Sequence, residues 1–264
     1  MTPRAARSSR RDEWIASLRE AFDLSARVLD AEHDKMIGAI GRVFLAGARE
    51  LLAGVIAELE AERPTNAIRL ARHLFEFELE FFYLTDRPAV RIQQWFAQSA
   101  RRGLTIEERV SGVRFSREAK GQMNAHIARA KNAAEERQGK PDTPEGWGLP
   151  PLAVMQEVAE DSQPHRAENY DLFYRHSSSL SHPGPLSGAT YVQNVGGALR
   201  VRADGADPVR AGQAAALAAL AFINLLDSVN WINSAKMGAE IRDLYGRIEK
   251  LVPKRRRRTR RAGR

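Results

Sequence analysis

The chain has 264 residues, and its wealth of alanine, leucine, glutamate and arginine favours helix and supplies enough apolar side chains for a sizeable core. It has no cysteine, which excludes disulfides, thiolate catalysis and thiolate-bound metals and fits a reducing cytoplasm. The formal charge of +8 is segregated: four cations lie in 1–11 and eight in 254–264, neither end has an acid, and the 29 cations left of 41 face 33 acids in 12–253, a net of −4.

The pattern reads as all-α, a multi-helix bundle with long N- and C-terminal helices. A single helical domain is expected at 12–253, between a basic disordered N-terminus at 1–11 and a basic disordered tail at 254–264. Ser8 or Ser9 can cap a first helix whose opening turn holds Asp12 and Glu13, acids suited to the positive end of its dipole. Trp14, Ile15, Leu18, Phe22 and Val28 keep helical spacing, the pattern weakens near His33 and Asp34, and it resumes from Ile37 to Leu59 as one long helix or two in line. Pro64 ends it, and Thr65 or Asn66 caps a helix to about Thr85 that is apolar on nearly every side. Within that helix Arg72 and Glu76 are four apart and can pair on one face, flanked by Arg69, His73 and Glu80.

Pro88 suits the first position of a helix through Trp95 to about Arg102. Short helical stretches are expected at 106–110 and 116–137, the second exposed, before a loop rich in proline and glycine at 139–151 that Trp147 and Leu149 can anchor. A short helix covers 152–161. Around Val195, Gly196 and Gly197 a small β-hairpin at 189–203 and a plain loop both fit. Pro208 opens a long helix to about Val252, bent near Met237 and Gly238. Its most apolar run, Ala214 to Leu226, is short of a membrane span and reads as a core helix. No apolar run follows the N-terminal arginines, so no secretory signal and no membrane partner are expected, and the protein is expected to be cytoplasmic.

Reactive side chains concentrate in 169–188, NYDLFYRHSSSLSHPGPLSG. Tyr170, Tyr174, Arg175, His176, Ser178 and His182 fall on a helix that Pro183 stops. Arg175 and His182 are seven apart, so about 700° of rotation leaves them within roughly 20° of one face. The arginine fork suits phosphate, and the histidine pKa range suits general acid or base work. Side chains at a helix end also commonly satisfy loop backbone, and that reading stands beside the chemical one. No G-x-S-x-G elbow accompanies the serines, no pair of histidines has metal-ligand spacing, and neither a metal nor a cofactor is expected. The tail around Arg255 to Arg261 has charge enough to hold nucleic-acid phosphates, without aromatic residues for stacking on bases.

Two patterns carry a family likeness: RHLFEFELEFFYLTDRP, with Arg72, Glu76, Tyr83 and Leu84 followed by Trp95, and WGLPPLAVMQEVAEDSQPHRAENYDLFYRHSSSLSHPGP. Together they resemble the bacterial family catalogued as domain of unknown function 5677, over about Thr65 to Leu199. That likeness implies a helical fold and no established activity. Arg175, His176 and His182 also resemble, more distantly, the R-x(4 to 6)-H motif of the HEPN superfamily of helical ribonucleases and toxins. This second resemblance implies a homodimer in which Arg175 stabilises an RNA phosphate and His182 acts as acid or base without metal. Two functions are therefore expected: a binding or regulatory module centred on Tyr170 to His182 with Arg72 and Glu76 in support, or a metal-independent ribonuclease.

Overall fold

The computed structural model describes residues 3–31, 35–135, 149–162, 192–195, 198–201 and 208–252. Among them are eight helices and one hairpin, an all-α bundle. In order these are α1 (Pro3–Leu29), α2 (Met36–Glu60), α3 (Pro64–Asp86), α4 (Pro88–Arg109), α5 (Arg117–Glu135), α6 (Leu152–Ser162), β1 (Val192–Val195), β2 (Ala198–Val201), α7 (Pro208–Asn233) and α8 (Gly238–Leu251). Contacts divide the chain into two compact units, the first from 1–32, 45–75 and 177–264, the second from 33–44 and 76–176.

In the first unit α1 packs against α7 and α8. Helix α1 buries Trp14, Leu18, Ala21 and Val28, and α7 buries almost everything from Ala214 to Val229. A fully buried side chain such as Leu18 or Phe222 contributes about 1.5–3 kcal/mol. Over Val209–Asn233, α7 is long and apolar enough to cross a membrane by length and composition alone (mean hydropathy 1.6). Two-thirds of that window is buried, so α7 serves as the core helix of its unit.

Helix α1 begins at Pro3, ahead of the Ser8 or Ser9 cap and inside the segment expected to be disordered. Tertiary contacts explain the extension. Arg10 Nη2 donates to the Leu251 carbonyl at the end of α8 (2.6 Å), and Arg11 pairs with Glu62 (2.5 Å). Residues 254–264 lie outside the described residues.

The weak pattern near His33 marks two helices, since α1 ends at Leu29 and α2 starts at Met36. Just past the end of α2, Glu62 takes the left-handed region (φ 57°), with the Arg63 N–H donating to the Glu58 carbonyl at 2.8 Å, and Pro64 then opens α3. Gly54 lets α3 approach closely: a Cβ there would lie 3.0 Å from Leu70 Cδ1. Inside α1 and α2, Arg49 stacks 4.0 Å over the Phe22 ring and donates to the Phe22 carbonyl and Ser25 Oγ, each at 2.6 Å.

The expected bend near Met237 is a break. Ser234 (φ 52°) and Lys236 (φ 60°) turn the chain, and Asn230 Oδ1 accepts the Met237 N–H at 2.9 Å. The hairpin forms, with Val192 opposite Val201 and Val195 opposite Ala198.

In the second unit α4 starts at Pro88 in the first helical position. It runs to Arg109, absorbing the separate helix expected at 106–110. Glu107 holds the following turn by accepting the Phe115 N–H and pairing with Lys120, each at 3.1 Å. Helix α5 packs on α4 through Ala97, Ala130 and Ile127 and is otherwise largely exposed. Leu149 is buried, its N–H held by Gln98 Oε1 at 2.7 Å, whereas Trp147 lies outside the described residues.

Candidate functional site

Tyr170, Tyr174, Arg175, His176, Ser178 and His182 all lie outside the described residues. Of the residues singled out for chemistry, Arg72 and Glu76 are described. Both sit on α3 and are half-buried, and each takes part in interactions with neighbouring groups. Glu80, one turn further on, is half-buried too. Positions four apart share a helix face, so Arg72, Glu76 and Glu80 form one half-buried polar stripe along α3, which also buries Glu78. A solvated surface pair would stand exposed; this stripe is partly withdrawn from water.

Below Glu76 the stripe runs beside an aromatic cluster. Phe44 lies 5.7 Å from Phe77, 5.5 Å from Phe81 and 5.7 Å from Trp95, between ring centroids. Trp95 in turn meets Phe96 at 5.2 Å, edge to face. Burial here pushes the Glu80 carboxyl above its ordinary range. The Trp95 indole N–H donates to it and the Arg102 charge attracts it, which both pull back, while the Glu76 charge pushes further up. Trp95 thus has two tasks, filling the cluster with its ring and satisfying a carboxyl with its N–H.

A second charged group is built into the turn from α3 to α4. Arg91 is 4% exposed. Its guanidinium stacks 3.7 Å from the Tyr83 ring centroid, donates to the Tyr83 carbonyl at 2.7 Å, and pairs with Asp86 at 2.8 Å. The Tyr83 carbonyl belongs to the last turn of α3, where carbonyls lack helical partners, so Arg91 caps that helix from the next one. On α5, His126 stacks on Phe96 at 4.9 Å, and Arg129 Nη2 donates to its Nδ1 at 3.1 Å. Burial first and the Arg129 charge second hold its pKa below the ordinary histidine range.

Sequence reasoning gave Glu80 only as a flank of the Arg72 and Glu76 pair, and it missed Arg91, Arg102 and His126. For Glu80 a signal existed, its i+4 spacing from Glu76. For Arg91 the signal was its position three residues after Pro88, at the start of a helix that must receive the frayed end of α3. In the first unit a cleft of about 310 Å³ between α1 and α2 is lined by Arg11, Ile15, Arg19 and Glu60. Its cations are already engaged, Arg19 with Glu60 at 2.5 Å and Arg11 with Glu62.

Residues 39–198, more than half of the chain, match the model of a family of unknown function (DUF5677). No curated protein and no solved structure matches the chain.

Proposed function

Because the chain belongs to this family of unknown function, we propose a function located within the matched span rather than one borrowed from a characterised relative. The protein is a helical binding or regulatory module. Its contact segment is Tyr170 to His182, where Arg175 and His182 receive a phosphate-bearing ligand and Tyr170, Tyr174, His176 and Ser178 supply further hydrogen bonds. Arg72 and Glu76 give that segment its polar support. The observation that carries this reading is the half-buried stripe Arg72, Glu76 and Glu80, in which a carboxyl is held against its own hydration. Ionisable groups kept partly out of water, with perturbed proton affinity, concentrate where proteins recognise ligands.

The test is a thermal-shift titration with inorganic phosphate and a nucleoside monophosphate, run beside incubation with total RNA in chelator. Stabilisation by either ligand that is lost in Arg175→Ala and reduced in Glu76→Gln, with RNA left intact, supports the module. RNA cleavage abolished by both Arg175→Ala and His182→Ala replaces it with the metal-independent ribonuclease. Ligand-induced shifts indifferent to all these substitutions remove the segment from the function.

A further inference from the structure

We infer that α5 is an acid-released helix: the neutral ring of His126 clasps it to α4, and protonation of that ring lets its C-terminal half go. The half-buried imidazole stacks on Phe96 of α4 at 4.9 Å with 22° between the planes, and Arg129 Nη2 donates to its Nδ1 at 3.1 Å. Arginine carries no acceptor, so this bond exists only while Nδ1 keeps its lone pair. A proton taken up there breaks the bond and leaves two cations side by side.

No acid stands beside the ring to offset that repulsion. Along α4 the positions three, four and seven from Phe96 are Ala89, Ile92, Gln93, Ser99, Ala100 and Gly103, none of them charged. Along α5 the same positions from His126 are Ala119, Gln122, Met123, Arg129, Ala130 and Ala133, and only Arg129 is charged. The remaining charges of α4 serve elsewhere: Arg91 pairs with Asp86, Arg102 attracts Glu80, and Glu107 pairs with Lys120. Burial lowers the proton affinity of His126 most and Arg129 next, so docking is full above the ordinary value of 6.5 and weakens as pH falls below it.

The two halves of α5 are held differently. Under the C-terminal half the packing is thin, Ala130 against Ala97 with Ile127 beside them, and small side chains contribute little apolar area. At the N-terminal end Ser116 Oγ accepts the Ala119 N–H at 3.1 Å, Glu107 pairs with Lys120 at 3.1 Å, and a Cβ on Gly103 would lie 3.2 Å from Met123 Cε. The Phe115 N–H first and Lys120 after it keep the Glu107 carboxyl below its ordinary range, so this anchor stays charged in mild acid. Release therefore pivots on the turn before α5 and uncovers Phe96, whose ring meets Trp95 at 5.2 Å. A protonated histidine thus exchanges a closed helix pair for an open one with an aromatic face.

The experiment is hydrogen–deuterium exchange of the full chain at about pH 8 and about pH 5, the range across which a histidine titrates, with each peptide corrected for its intrinsic rate. Protection in 124–135 is expected to fall about tenfold at the lower pH, the low end of what one hydrogen bond to a charged group contributes, while α4 keeps its own. His126→Phe preserves an aromatic stack and cannot titrate, so its protection in 124–135 should be the same at both pH values. Arg129→Met removes the opposing cation and should shrink the response of the parent. Protection in 124–135 that ignores pH in the parent, an equal fall in His126→Phe, or a fall as large in α4 as in α5 overturns the inference.

Discussion

Replacing Arg91 with methionine keeps most of the apolar stem and removes the guanidinium that joins α3 to α4. Three interactions go at once: the stack on Tyr83 at 3.7 Å, the hydrogen bond to the Tyr83 carbonyl at 2.7 Å, and the ion pair with Asp86 at 2.8 Å. A hydrogen bond from a charged donor contributes ~1.5–3 kcal/mol, and a desolvated cation over an aromatic ring ~2 kcal/mol. The Asp86 side chain is 37% exposed, so water screens its pair with Arg91 and that contribution is small. The three share one group and overlap, which brings the expected loss for Arg91→Met to about 3 kcal/mol. Arg91→Lys keeps the charge but cannot stack and bond at once, and should lose about half as much. Urea unfolding followed by far-ultraviolet circular dichroism measures both. A loss below ~1 kcal/mol for methionine, or a lysine variant as stable as the parent, would refute the reasoning from this buried cation.

Glu80→Gln keeps an acceptor for the Trp95 indole and removes the titration. The folded pKa of Glu80 is raised, so its contribution is full at low pH and is lost as pH climbs from the ordinary 4.5 through the raised value. Glu80→Gln should therefore gain thermal stability relative to the parent as pH rises to neutrality, and an unchanged difference between the two across pH would contradict the burial argument. Lys236 holds φ 60°, which a glycine adopts without steric cost, so Lys236→Gly should raise stability by about 1 kcal/mol and the melting temperature with it; a fall would show that the lysine side chain stabilises the turn. Arg49→Met strips two hydrogen bonds from the Phe22 carbonyl and the buried Ser25, and should cost about 2 kcal/mol in chemical denaturation, with a neutral result counting against it.

Much of the helical layout was legible because proline and turn residues mark it. Pro64, Pro88 and Pro208 each stand at the first residue of a helix, where a missing N–H costs nothing. The apolar run around Ala214 to Leu226 announced a core helix by composition alone. Extensions were harder to see. Helix α1 runs through Arg4 to Arg11 because its partner is α8, more than two hundred residues later, and α4 continues to Arg109 because Glu107 ties it to the turn before α5. Both depend on tertiary partners, which local periodicity does not encode. The candidate site divides in the same way. The shared face of Arg72 and Glu76 follows from spacing, whereas the withdrawal of Glu80 from water depends on tertiary neighbours such as Trp95 of α4.

The discontinuity of the first unit has a consequence for how the protein is made. Its α1 emerges from the ribosome well before α7, on which it packs and which begins only at Pro208. At ~5–20 residues per second, α1 waits for roughly ten to forty seconds without α7. The second unit, complete by residue 176, has all its segments sooner. During that interval the nascent chain holds α1 without the core helix it packs on, and slowed synthesis between the two helices should raise aggregation without any change in the finished fold.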